Sequence, residues 1–359
     1  MPPLSPAGPN GGILFFSRGR GRGHAIPDLA IAEEFERLRP GVPIRFVSYA
    51  TGAETITAHG RDVIDLHLPA DNSIAQTTIY AGKLIGWLQP ALVVSHEEFA
   101  ALPAAKIFDK PTVFLTDWFS KPREYAMDVL HFADEILFFD EAGVYPEPEW
   151  VRGRVRYLGA ALRPFKYHRA DAASARAELG LPAAAAIVTV LPGSWREAET
   201  PVLELEGSAF DLLAGSKHLV WLAGADHELI ASRFAGRSDV TVLQQDWQID
   251  RLMAASSLVL NKANRLTLHE LNALGVPSIA LSYGLNPLDD LRSQTLPLNR
   301  HLLAAETSAR TLADRIVKPL RSLPVRRPLS PAFPPRPPLW LFALGNHAGS
   351  FSDAVSISR

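Results

Sequence analysis

Ile13-Leu14-Phe15-Phe16-Ser17-Arg18-Gly19-Arg20-Gly21-Arg22-Gly23-His24-Ala25-Ile26-Pro27 joins a hydrophobic run to an amphipathic stretch. The run Ile13 to Phe16 is short, apolar and aromatic, as expected of a buried strand. From Leu29 to Leu38 the apolar residues recur at helical spacing. Between them, three alternating glycines offer positive φ and let bare backbone approach a ligand. Pro27 suits an early helical position. A helix starting just beyond a glycine turn presents N–H groups to an anion, most often a phosphate, and Arg20 and Arg22 add positive charge to the same loop.

Working outward, strand-like runs alternate with helical stretches. In the first half these are Ile44–Ser48, Leu92–Ser95, Thr112–Leu115 and Glu135–Phe139. In the second they are Ile187–Leu191, Leu219–Leu222, Val240–Leu243, Leu258–Leu260 and Ser278–Leu281. Near-continuous apolar strands separated by helices predict parallel sheets covered on both faces. The pattern breaks between Arg163 and Ala173, before a helix over Ala172–Leu179, so two Rossmann-like domains are expected, over 12–164 and 165–323. They are flanked by an N-terminal segment over 1–11 and a Pro-rich tail over 324–359. A late helix is expected over Ser308–Leu320.

The chain has 359 residues, 47% of them hydrophobic and 21% charged, enough to bury two cores. A net charge of -2 argues against a general nucleic-acid binder. With no cysteine, disulfides and thiolate nucleophiles are excluded. Met1 to Gly12 lacks the apolar core of a signal peptide, and no uncharged apolar run approaches the ~20 residues of a spanning helix. A cytoplasmic location is expected, with membrane association as a peripheral option. Ile74 to Leu88, with Tyr80, Leu84, Ile85, Trp87 and Leu88, reads as an apolar acceptor or membrane face or as core.

The glycine loop fits neither standard nucleotide motif. A dinucleotide fingerprint needs a third glycine where His24 or Ile26 stands, and an acid at the end of the second strand, which here reads Val47-Ser48-Tyr49-Ala50. The P-loop ending Gly-Lys-Ser/Thr is absent. The second half carries Asn261-Lys262-Ala263-Asn264-Arg265-Leu266-Thr267-Leu268-His269-Glu270-Leu271-Asn272-Ala273-Leu274-Gly275-Val276-Pro277, a strand-to-helix junction followed by another strand. Glu270, three residues after Thr267, can accept hydrogen bonds from vicinal ribose hydroxyls. The residues before it stand where a helix start would meet a diphosphate. Read alone, Glu270 is first a solvated helix acid; the pattern around it is what points to a ribose.

The glycine loop with His24 and a Pro-containing helix, together with Leu-Thr-x-x-Glu-x-x-x-x-Gly-x-Pro, resembles the MurG-like glycosyltransferases of family 28 over about Gly12 to Leu320. The resemblance implies the GT-B fold: two Rossmann-like domains facing across a cleft, with the C-terminal helix returning to the first domain. It implies that Glu270 holds the donor ribose and that Ala263, Asn264, Arg265 and Thr267 face the diphosphate of a nucleotide sugar, UDP-linked by preference. Arg163 matches an interdomain donor-phosphate contact, Gly193 and Ser194 a loop lining the cleft, and Gln294 a reader of sugar hydroxyls. Trp247 or Ile249 would border the uracil. Gly21 and Gly23 would admit the donor closely. The family's small Ser-Gly-Ala is replaced by Ala263-Asn264-Arg265, so Arg265 either adds a phosphate contact or blocks backbone approach. The loop Leu115-Thr116-Asp117-Trp118-Phe119 has the position, but not the letters, of a loop facing the acceptor.

Inverting transfer needs stabilisation of the leaving diphosphate, supplied by a helix start with Arg163 and Arg265, and a base for the acceptor hydroxyl. His24 is the first candidate base, or else a brace of the glycine turn. Asp117 is the second, at a strand's C-terminal end, or else a helix N-cap. Glu97 and Glu98 come after them. Arg20 and Arg22 contact an anion or form a solvated pair. His59, His67, His218 and His301 show no ligand spacing, so no metal and no cofactor is expected. The expected partners are a nucleotide-sugar donor and a saccharide or lipid-linked acceptor. The competing readings are a non-hydrolysing nucleotide-sugar epimerase and, below it, a non-enzymatic anion or nucleic-acid binder acting through Arg-Gly.

Overall fold

A computed structural model of the chain describes residues 11–321, apart from 21, 70–73, 118–126, 146, 148, 152, 194–201, 214, 285 and 286. Gly21, Ser194, the aromatic pair Trp118 and Phe119, and the Pro-rich tail over 324–359 lie outside the described residues. The chain divides into two compact units after Arg163.

The first unit holds one sheet of strands β1 (Ile13–Ser17), β2 (Ile44–Ser48), β3 (Val63–Asp65), β4 (Leu92–His96), β5 (Thr112–Thr116), β6 (Glu135–Phe138) and β7 (Val155–Tyr157). Its order is β3-β2-β1-β4-β5-β6-β7, and every pairing is parallel. Helices α1 (Arg22–Leu38), α2 (Ala50–Ala58), α3 (Ile74–Leu88) and α4 (Ala101–Ile107) connect the strands. β1, β4 and β5 are buried at every position, because a parallel sheet covered on both faces has no solvated side. The edge strands β3 and β7 are three residues each and only partly buried. Their short, mixed sequences leave little edge for another chain to pair with.

The second unit repeats the plan. Helix α5 (Ala172–Glu178) precedes strands β8 (Ala186–Leu191), β9 (Lys217–Leu222), β10 (Val240–Leu243), β11 (Leu258–Lys262), β12 (Ser278–Ser282) and β13 (Asn299–Leu303). The parallel order is β10-β9-β8-β11-β12-β13. The covering helices are α6 (Val202–Asp211), α7 (His227–Arg233), α8 (Ile249–Ala255), α9 (Arg265–Leu274), α10 (Pro287–Thr295) and α11 (Ala309–Arg321). In both sheets the strand order reverses once, between β1 and β4 and between β8 and β11. In open α/β sheets ligands bind outside the C-terminal strand ends at such a reversal.

Two expectations change. The helix after the glycine loop starts at Arg22, so Gly23 and His24 lie in its first turn and Pro27 is its sixth residue. Neither Gly19 nor Gly23 takes a positive φ, so backbone freedom is not what these two supply. Helix α11 belongs to the second unit. Leu312, Ala313 and Ile316 are buried in the core beneath β8 and β11, and the helix packs along α6. Its apolar stripe is matched by that core.

Candidate functional sites at the two strand-order reversals

In the first unit, β1 and β4 end level with each other, Ser17 pairing with His96. The chain beyond β1 turns into α1 through Arg18 and Gly19. Glycine is required at 19 by contact: a Cβ there would lie 2.2 Å from the Tyr49 ring and 2.4 Å from its carbonyl oxygen. Gly19→Ala is expected to destabilise the fold by about 1–3 kcal/mol, read as a lower urea midpoint at unchanged slope. No such crowding surrounds Gly23, where a Cβ would meet open space.

This turn sets His24 over the end of β4. Its Nε2 is 3.2 Å from Glu97 Oε2, and its Nδ1, on the exposed side, is 3.3 Å from the Arg20 carbonyl. Glu97 is buried and directed: Thr116 Oγ1 at the end of β5 donates to its Oε1 at 2.8 Å, and Arg18 approaches Oε2 at 4.0 Å. Glu97 has φ +53°, left-handed for a non-glycine residue, the kind of backbone strain that clusters at functional sites. Burial holds His24 below the ordinary histidine range against the opposing hydrogen bond from Glu97, with His96 and Arg18 lowering it further. Both partners are acceptors, so a neutral His24 hydrogen-bonds only one of them; with the proton on Nε2 toward Glu97, Nδ1 is the proton-accepting nitrogen and its approach to the Arg20 carbonyl is not a hydrogen bond.

Asp117 follows β5 directly and is half-buried, one residue beyond the Thr116 that holds Glu97. The carboxylate on His24 is Glu97, which sequence placed behind Asp117; the signal available was its position just past the apolar run Leu92-Val93-Val94. Glu98 points elsewhere, receiving the Tyr49 hydroxyl at 2.8 Å, and burial pushes its carboxyl up. Arg163 is set apart from His24: its guanidinium pairs with Glu33 on α1 at 2.5 Å.

In the second unit the reversal lies between β8 and β11. Gly193, just past β8, has φ +74°, and a Cβ there would meet Lys262 Cε at 3.0 Å. Glycine thus serves both the left-handed turn and the passage of the Lys262 side chain over it. Lys262, the last residue of β11, was quoted in the sequence motif but not singled out. Asn264 caps α9, accepting the Thr267 N–H at 3.2 Å, and Gly275 closes the helix in the left-handed conformation. Ala263 is buried beside the cap.

Glu270 is 6% exposed, which removes the solvated-acid reading. Arg265 is 3% exposed at the first position of α9, a buried cation where the family resemblance implies a small residue. Gln294 is exposed on α10, the helix beside α9. Ile249 is part of the hydrophobic core under β8 and β11, and Trp247 is half-buried. Among the described residues, no group of three or more His, Asp or Glu side chains is arranged to hold a metal, and no helix is long and apolar enough to cross a membrane.

Two all-parallel Rossmann-like units, each with polar groups gathered at its strand-order reversal, have the fold of GT-B glycosyltransferases. Within that fold the chain is similar to MurG proteins at modest identity. It is similar to the UDP-N-acetylglucosamine–N-acetylmuramyl-(pentapeptide) pyrophosphoryl-undecaprenol N-acetylglucosamine transferase of Solidesulfovibrio magneticus, 27% identical over 330 residues, 84% of each chain. Acinetobacter baumannii MurG superposes with a TM-score of 0.59 at 13% identity, covering 86% of this chain and 90% of that one. A protein assigned as a UDP-N-acetylglucosamine 2-epimerase from Listeria monocytogenes superposes with a TM-score of 0.64 at 12% identity, covering 86% and 88%. No protein-family model matches the chain. Taken together, the relatives support a glycosyltransferase, with the epimerase as an alternative on the same fold.

Proposed function

We propose that the chain is an inverting, metal-independent glycosyltransferase that moves a sugar from a nucleoside-diphosphate sugar, UDP-linked by preference, to a hydroxyl acceptor. The observation that carries the donor half is the α9 junction. A buried carboxylate at Glu270 follows a capped helix start, with Lys262 and the Gly193 turn beside it. A buried carboxylate is suited to two neighbouring ribose hydroxyls, each of which donates to one oxygen. A helix start with Lys262 and Arg265 is suited to the charge that grows on the leaving diphosphate. The Asn264 cap takes the Thr267 N–H, so the phosphate contacts of this chain lean more on side-chain cations than the family pattern implies.

The acceptor half rests on His24. With Glu97 holding Nε2, Nδ1 takes the hydroxyl proton as the oxygen attacks the anomeric carbon and the bond to the diphosphate oxygen breaks. The transition state has oxocarbenium character, as in glycoside hydrolysis. A lipid-linked acceptor is supported by the name of the Solidesulfovibrio relative. It is also supported by α3, whose outer face exposes Ile79 and Trp87 while Ala81, Leu84, Ile85 and Leu88 fill the core. That face would also serve peripheral contact with a membrane surface.

A thermal-shift panel of nucleoside diphosphates tests the donor reading. UDP at millimolar concentration is expected to raise Tm, since a ligand bound only by the folded state stabilises it. A panel in which no nucleotide shifts Tm overturns the donor site. Incubation with UDP-sugars then separates the reactions: sugar transfer only with an acceptor present supports the transferase, and acceptor-independent sugar interconversion identifies the epimerase.

A further inference from the structure

Beneath His24 lies a second histidine–carboxylate pair that the proposed chemistry does not use. His96, the last residue of β4, is 2% exposed, and Asp28 on α1 is fully buried. His96 Nδ1 is 2.8 Å from Asp28 Oδ1 and 3.1 Å from the main-chain carbonyl oxygen of His24. One Nδ1 proton therefore serves both acceptors, so Nδ1 of His96 is protonated. Its ring stands edge-on to the His24 ring, centroids 4.7 Å apart, and is backed on the far side by Phe139 at 5.0 Å. Asp28 Oδ2 is buried with no hydrogen-bond partner among the described residues. A carboxylate so placed depends on the charge of its one imidazole partner, because a buried ion without a counter-charge is strongly disfavoured.

We propose that Asp28 and His96 are the positioning pair of His24: Asp28 locks the His96 ring from within the core, and His96 grips the His24 main chain and sets the ring above it. The inference rests on His24 as the proton acceptor of the proposed transfer. The charges facing the two rings come from every neighbouring element. Asp28 on α1, Glu97 after β4 and Asp117 after β5 act on His96; Glu97, His96 and Arg18 after β1 act on His24. Burial opposes protonation of His96, but the charge and hydrogen bond of Asp28 outweigh it and raise His96 above the ordinary range. His24 is moved the other way, so of the two rings His96 holds a proton the more readily.

The test reads the imidazoles in the ligand-free protein, by nitrogen NMR of the full chain labelled at histidine, with His24→Gln and His96→Asn used for assignment. In the native protein His96 is expected to titrate above His24. A His96 that titrates at or below His24 overturns the proposal. In Asp28→Asn, which keeps the shape and removes the charge, the His24 midpoint is expected to rise by about one unit as the cation beside it is lost. His96→Asn, whose amide can still donate to the His24 carbonyl, is expected to shift it in the same direction. Folded variants in which the His24 midpoint stays at the native value also overturn the proposal and leave the pair a purely structural one. None of these readouts depends on turnover. Absence of sugar transfer in the native protein would sink the proposed function, while the order in which the two rings titrate would stand or fall on the spectra alone.

Discussion

His24→Ala is expected to lower kcat for sugar transfer by about two to four orders of magnitude, the usual contribution of a placed general base. The UDP-induced rise in Tm should survive, because the donor residues belong to the other unit. Glu97→Gln should show a milder form of the same defect with a diagnostic pH profile. Glu97 raises the affinity of His24 for a proton, whereas burial lowers it. Removing the Glu97 charge therefore drops His24 further: the acid limb of kcat/KM moves to lower pH, and the plateau falls because the base is weaker. Steady-state kinetics between pH 5 and 9 would check both. Full activity in a folded His24→Ala variant would end the assignment and return Asp117, half-buried beyond β5, as the candidate.

The second large effect concerns the donor. Glu270→Ala is expected to weaken UDP binding by about 10- to 100-fold, the loss of hydrogen bonds to a charged group. Glu270→Gln, which keeps one carbonyl acceptor, should fall between. Isothermal titration with UDP gives the dissociation constants, and circular dichroism melting shows whether the truncated variants remain folded. Binding at native strength in Glu270→Ala would place the nucleotide elsewhere.

Much of the architecture is legible in the chain. β1, β4, β5, β8, β11 and β12 are buried over all or nearly all of their length because helices cover both faces of each sheet, and that burial is written as short apolar runs within them. The strands that escape are β3, β7 and β13. Two are only three residues long, and the third reads Asn299-Arg300-His301-Leu302-Leu303. At a sheet edge one side of a strand faces solvent, so neither run length nor alternation distinguishes it from a loop. The start of α1 escapes for a different reason. Arg22 and Gly23 have the local character of a turn, and glycine disfavours helix by about 1 kcal/mol relative to alanine, yet both lie in the first turn of a 17-residue helix whose apolar side is buried on the sheet.

By itself, then, the sequence determined the alternation of strand and helix, the two α/β halves, and the two junctions where chemistry gathers. These depend on residues within a few positions of one another, through backbone propensity and hydrophobic period. The tertiary structure alone decided which acid serves which histidine. Glu97 meets His24 across 73 positions, and Asp28 meets His96 across 68. Both pairings exist because β4 lies directly beside β1, a sheet order in which strands distant in the chain become neighbours. Local spacing carries no record of that adjacency. It follows from closing the whole sheet around one core, which brings the two strand ends level and buries their side chains against each other.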